Sequence, residues 1–154
     1  MYTSHFALLI GVVAGLRAMT APAAVSWGAW LGWLYVAPTP FAFLGYAFMP
    51  WVLTVFALGE LVTDQRPTTP SRTVAVQFGA RIITGGLSGA AIGAARGTLG
   101  IGMIGGILGA VIGTHVGHAF RARLAAAFGS DRPAAFTEDA VAIGGAYLIM
   151  MALP

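Results

Sequence analysis

The stretch RIITGGLSGAAIGAARG, residues 81–97, is followed after a short break by GGILGAVIGTHVGHAFR, residues 105–121. Gly85, Gly89, Gly93 and Gly97 recur every fourth residue in the first, and Gly105, Gly109, Gly113 and Gly117 do so in the second. One further step outward reaches Arg81 at one end and Arg121 at the other. Residues four apart share a helix face. The pattern therefore predicts two helices joined by a tight turn at 96–100, packed through their glycines as a glycine-zipper hairpin.

The composition predicts a bilayer as the solvent. The chain has 154 residues, of which 58% are hydrophobic and 8% charged, with a mean hydropathy of +0.83. Soluble domains carry roughly 25% charged residues. Several apolar runs approach the ~20 residues needed to cross the hydrocarbon core. One integral membrane domain over 1–154 is the natural division. The net charge of +3 does not indicate nucleic-acid binding, because the arginines are scattered singly and form no basic run. No cysteine is present, which excludes disulfides and thiol chemistry. Phe6 to Leu16 resembles a signal-peptide core, but no basic residue precedes it and Arg17 follows it. The segment is expected to be retained.

Taken in order, the chain predicts a short helix over 2–16, with Ala7, Gly11 and Gly15 four apart, and a break over 15–22 that contains Arg17, Thr20 and Pro22. Thr20 is the candidate cap of a second helix over 22–37, which carries Trp27, Trp30, Trp33 and Tyr35. This first pair reads as a hairpin, a re-entrant element or one long broken helix. A third helix over 41–63 should kink at Pro50, ahead of a polar loop over 65–73 that includes Arg66, Pro67 and Arg72. The glycine helices follow over 73–95 and 99–122, and then a second polar loop over 121–136. Thr137 should cap the last helix, with Glu138 and Asp139 in its first turn.

The expected architecture is an all-α polytopic bundle of about six short transmembrane helices, or five plus a re-entrant N-terminal element. With a hairpin at the start, Arg17, Arg66, Arg72, Arg121, Arg123 and Arg132 share one side and Arg96 lies on the other. The positive-inside rule makes the Arg-rich side cytoplasmic.

Ionisable residues inside a membrane mark pathways or internal pairs. Arg17, Thr20, Arg72, Arg81 and Arg121 are the candidate anion-binding residues, because neighbouring guanidiniums need negative charge between them. Glu60 and Asp64, four apart on one helix face, would supply that charge internally or leave it to a substrate phosphate or carboxylate. Glu60, Asp64, Glu138, Asp139 and His118 are the candidate coupling or ion-pairing groups. The break over 15–22 also resembles the discontinuous helices that hold ions in transporters. His115 and His118, with Glu60 and Asp64, form a weaker metal-site candidate. Nucleophile elbows, phosphate loops and dinucleotide fingerprints are absent from the sequence, so neither an enzyme nor a cofactor is expected.

At Gly15-Leu-Arg-Ala-Met-Thr-Ala-Pro22, at Glu60-Leu-Val-Thr-Asp64 with Pro67-Thr-Thr-Pro-Ser-Arg-Thr73, and at Glu138-Asp139-Ala140, the chain resembles a family of small bacterial integral membrane proteins. That family is known as domain of unknown function four-one-two-six. The resemblance covers essentially the whole chain and implies a polytopic protein of the bacterial inner membrane, but little about activity. Arg66 departs from the family's usual Lys in the Asp-x-x-Pro step. The same motifs draw attention to Arg17, Glu60, Asp64, Arg72, Glu138 and Asp139.

The leading functional expectation is a transporter or channel for a small anionic solute or lipid headgroup, with its Arg/carboxylate site at the cytoplasmic mouth. The alternative is a scaffold that oligomerises through its glycine faces, and the third reading is a metal-dependent membrane enzyme. Expected partners are membrane lipids, a small anion and further copies of the chain, and not nucleic acid.

Overall fold

The longest helix, α5 (Leu99–Phe128), keeps much of its length exposed, and its glycines decide what it touches. The computed structural model describes residues 2–66 and 68–153. The other helices are α1 (Tyr2–Leu16), α2 (Thr20–Trp30), α3 (Met49–Asp64), α4 (Ala75–Ala94) and α6 (Asp131–Met151), of which α1, α4 and α6 pack against α5 and α3 packs against α2. A single 3-10 turn, Ala42–Gly45, precedes α3. The described residues contain no strand, so the fold is all-α. Pro67, expected in the polar loop, and Pro154, expected to end the last helix, lie outside the described residues.

The two glycine rows do not face each other, which corrects the expected hairpin packing. Gly85, Gly89 and Gly93 of α4 lie against Gly102, Gly106 and Ala110 of α5. The row Gly105, Gly109 and Gly113 instead meets Ala7, Leu8 and Val12 of α1, and Gly117 meets Leu16. The reason is angular: adjacent helix positions differ by about 100°, so the Gly105 row and the Gly102/Gly106 row occupy different faces. Gly11 and Gly15 of α1 complete the contact, each with a backbone of α5 where a Cβ would otherwise sit. Gly97 takes no part in packing; it makes the α4–α5 turn at φ +72°.

Contact order fixes direction. Leu8, Val12 and Leu16 meet Gly109, Gly113 and Gly117 in turn, so α1 runs parallel to α5. Gly28, late in α2, meets Met150, late in α6. Trp27 donates Nε1–H to Thr54 Oγ1 (2.9 Å) in the first half of α3, whereas Ala18 and Met19, just before α2, meet Glu60 near the end of α3. The chain therefore reverses at 17–19, which excludes one long broken helix and leaves the hairpin and the re-entrant element, both of which turn there.

Several helix ends differ from expectation. α2 stops at Trp30 rather than at 37, and Pro50 sits in the first turn of α3 and does not kink it. A first-turn proline loses no intrahelical bond. α5 continues to Phe128, where Gly129 (φ +70°) ends it, and α6 begins at Asp131 behind Ser130. Thr137 is therefore not a cap: its hydroxyl donates to the Pro133 carbonyl (2.9 Å) within α6. Glu138 and Asp139 lie two turns inside that helix, and both are buried.

The interior holds charge beside an apolar core, while much of the exterior is apolar as well. Arg17, Arg72, Arg81, Glu138, Ser26, Ser88 and Thr114 are buried, as are Ile10, Val25, Leu44, Ile92 and Met150. Meanwhile Val55 is 68% exposed, Val76 80% and Leu148 65%. Among the described residues, α5 and α6 are long and apolar enough to cross a membrane.

Gly106 is packed from two sides, since its carbonyl lies where a Gly11 Cβ would be and its own Cβ would strike Gly85 and Gly89. Gly106→Val should destabilise the fold by at least about 1–3 kcal/mol, the usual cost of overpacking. Gly144→Ala, in an exposed helical position with open space around it, should be neutral or stabilising by roughly 0.5–1 kcal/mol. Thermal unfolding in detergent compares the two.

Candidate functional site

Helix ends leave unpaired backbone groups, and the turn at 17–19 creates two such ends inside the bundle. Arg81 of α4 donates from Nη1 to the carbonyls of Gly15 (3.1 Å) and Leu16 (2.8 Å), closing the C-terminus of α1. Glu60 of α3 accepts the backbone N–H of Ala18 and of Met19, each at 2.8 Å, one on each carboxylate oxygen. The N-cap of α2 therefore comes from another helix. Thr20, the expected cap, makes no side-chain cap bond. A cation at the end of one helix and an anion at the start of the next both match the macrodipoles. The two side chains approach each other at 3.8 Å.

Arg17 sits in the turn itself, with a fully buried side chain. Its Nε donates to Asp139 Oδ1 (2.6 Å), Nη1 pairs with Asp64, and Nη2 approaches Glu138 Oε2 (3.7 Å). Arg72 grips Glu138 in a two-pronged bond, with Nη2 at 2.8 Å from Oε2 and Nη1 on Oε1. Arg121 joins Asp64 through Nη1, and binds Asp131 through Nε (2.9 Å) and Nη2 (2.6 Å).

All five side-chain carboxylates thus pair with four of the eight arginines: Asp64, Asp131, Glu138 and Asp139 share Arg17, Arg72 and Arg121, and Glu60 faces Arg81 beside them. Five anions against four cations leave one negative charge in excess. The two helix ends at the turn carry roughly half a charge each and of opposite sign, so they leave that excess unchanged. Inside the network the Nε of Arg81 has no hydrogen-bond partner.

A polar cavity of about 410 Å³ opens beside the network. Its wall includes Arg66, Arg72, Arg121, Asp64, Asp131 and His118, with the hydroxyls of Thr69 and Ser71. A second, apolar cavity of about 250 Å³ lies between α2, α3 and α6, where Trp27, Trp33 and Tyr147 stand with Thr20 and Thr54.

Of the candidate anion-binding residues, Arg17, Arg72, Arg81 and Arg121 are all engaged by internal carboxylates. Arg72 and Arg121 also reach the polar cavity, while Thr20 turns to the apolar one. Among the candidate coupling groups, Glu60, Asp64, Glu138 and Asp139 all pair with arginine. His118 stands apart on the cavity wall, and His115 lies against the Phe78 ring at 5.7 Å. Among the described residues, no three histidine or carboxylate side chains come together as a metal-binding group.

Two participants escaped the sequence reading. Asp131 was assigned to a loop, although Ser130, Asp131 and Pro133 together spell a helix start. Arg66, which is not among the candidate anion-binding residues, also lines the polar cavity. Comparison with known proteins found no matching family model, no matching curated protein and no matching solved structure.

Breaking one side of a buried ion pair strands the other charge, at a cost of about 3–5 kcal/mol. Arg17→Met should lose stability on that scale. Arg123→Met, at an exposed position on α5, should stay within about 0.5 kcal/mol of the parent protein. Chemical unfolding of the purified protein in detergent separates these outcomes.

Proposed function

We propose that the protein is a polytopic inner-membrane transporter of a small anion, with its Arg-rich end cytoplasmic and the polar cavity as its mouth. The single observation that carries this reading is the α1–α2 turn, where two helix ends meet inside the bundle and are closed by Arg81 and Glu60. Helix ends held at a buried site are how many membrane transporters bind and couple ions. Scaffolding through glycine contacts alone requires no such costly charge network.

The many exposed Val, Ile, Phe and Leu side chains support the membrane location. Lipid tails accept exposed Val, Ile, Phe and Leu, whereas buried charge in a membrane bundle pairs internally. Helices shorter than a bilayer, such as α1 and α2, are accommodated where they stand against longer neighbours. The positive-inside rule orients the chain, because Arg17, Arg66, Arg72, Arg121, Arg123 and Arg132 lie towards one end and Arg96 lies at the α4–α5 turn.

In this reading the buried arginines are not themselves open to a substrate. They hold the carboxylates, and the excess negative charge is the coupling element, since it takes up a proton or cation as the network rearranges. Solute enters through the cavity lined by Arg66, Arg72 and Arg121.

Reconstituted liposomes test the assignment through uptake of anions carrying carboxylate or phosphate. Glu60→Gln and Arg81→Gln should each reduce flux at least about tenfold, because both uncap the turn and change the network charge. Undiminished flux in both variants would overturn the role given to the turn.

A further inference from the structure

Arg121 joins the buried part of the network to its exposed part. Its Nη1 faces Asp64, which Arg17 also holds, and approaches Glu138 Oε2 at 3.5 Å, which Arg72 also holds. Its other edge, Nε and Nη2, carries only Asp131, at 2.9 and 2.6 Å. The Asp131 side chain is 61% exposed and stands on the wall of the 410 Å³ cavity.

This edge is a planar pair of donors, matched to two oxygens of a carboxylate or phosphate. Its present occupant is the most exposed of the five carboxylates, so water can take up the Asp131 side chain once it is displaced. The remaining pairs are buried, and removing one of their partners is costly. An anion entering the cavity can therefore take the Nε/Nη2 edge by displacing Asp131, while the buried pairs stay closed.

We infer that Asp131 is a tethered stand-in for an anionic ligand, and that the Nε/Nη2 edge of Arg121 is where a carboxylate or phosphate group docks. Arg66 lines the same cavity and meets the ligand's remaining oxygens. This inference rests on the anion-handling reading above and gives it a ligand class: a molecule presenting two acceptor oxygens on one group.

Calorimetric titration of the purified chain with inorganic phosphate, and separately with acetate, tests it. Asp131→Asn and Asp131→Ser each remove the internal competitor and should tighten phosphate binding about fivefold, the upper worth of an exposed pair. Arg121→Gln should abolish binding. In the unmodified chain, saturating phosphate should speed amide exchange over 130–134 as the start of α6 is released, and this arm decides if the variants fail to fold. Unchanged or weaker phosphate and acetate binding in folded Asp131 variants would overturn the inference, as would exchange that does not move.

Nanodiscs separate the two sources of phosphate. A lipid headgroup ligand weakens apparent phosphate binding when phosphatidic acid is added to phosphatidylcholine, whereas a free solute binds equally in both. Either result upholds the site. Tighter binding without flux of any anion would remove the transport reading and leave the site standing. Flux with unaltered binding would do the reverse.

Discussion

A reversal of the chain inside a helical bundle leaves backbone donors and acceptors without helical partners, and they must be satisfied. In this protein the turn at 17–19 makes that demand, and the rest of the charge distribution follows from it. Arg81 takes the carbonyls of Gly15 and Leu16, and Glu60 takes the N–H groups of Ala18 and Met19. Each of these ions needs compensation, and so does Arg17, which the turn carries into the interior. Asp64 and Asp139 answer Arg17, and Arg121 and Arg72 then answer Asp64 and Glu138. An unpaired buried charge costs far more than a paired one gains, so the network extends until it reaches Asp131, where solvent can take over.

The glycines make this geometry reachable. α5 has glycine on two faces, so α1 and α4 both approach it at backbone distance. That brings Gly15 and Leu16 on α1 and Arg81 on α4 within one hydrogen bond of each other. Wider spacing would leave Arg81 short of the carbonyls. Packing and electrostatics are thus a single constraint: small residues hold the apolar length together so that the charged end can close.

Much of this was legible in the sequence, for identifiable physical reasons. Four-residue spacing of small residues marks helix faces, so α1, α4 and α5 were readable, and rarity of charge in an apolar chain singled out Arg17, Glu60, Asp64, Arg81, Arg121, Glu138 and Asp139. Which face meets which helix was not readable. The doublet Gly105-Gly106 serves two faces at once, and only the path of the turn at Gly97 selects the one that meets α4. The cap of α2 was misassigned to Thr20 because local rules look for caps within the same segment, and Glu60 arrives from 40 residues away. Asp131 was lost because the helix-start signal at Ser130 and Pro133 was outweighed by the reading of 121–136 as a loop. The partner of each arginine is a tertiary matter that spacing alone does not encode.

The account stands on Glu60 and Arg81 holding the turn closed, and residue-resolved amide exchange in the reconstituted protein tests that most directly. It predicts slow exchange at Ala18 and Met19, lost in Glu60→Ala while the amides of Gly11 and Gly109 remain protected. Fast exchange at Ala18 and Met19 in the unmodified protein, or protection there that survives Glu60→Ala, would contradict it.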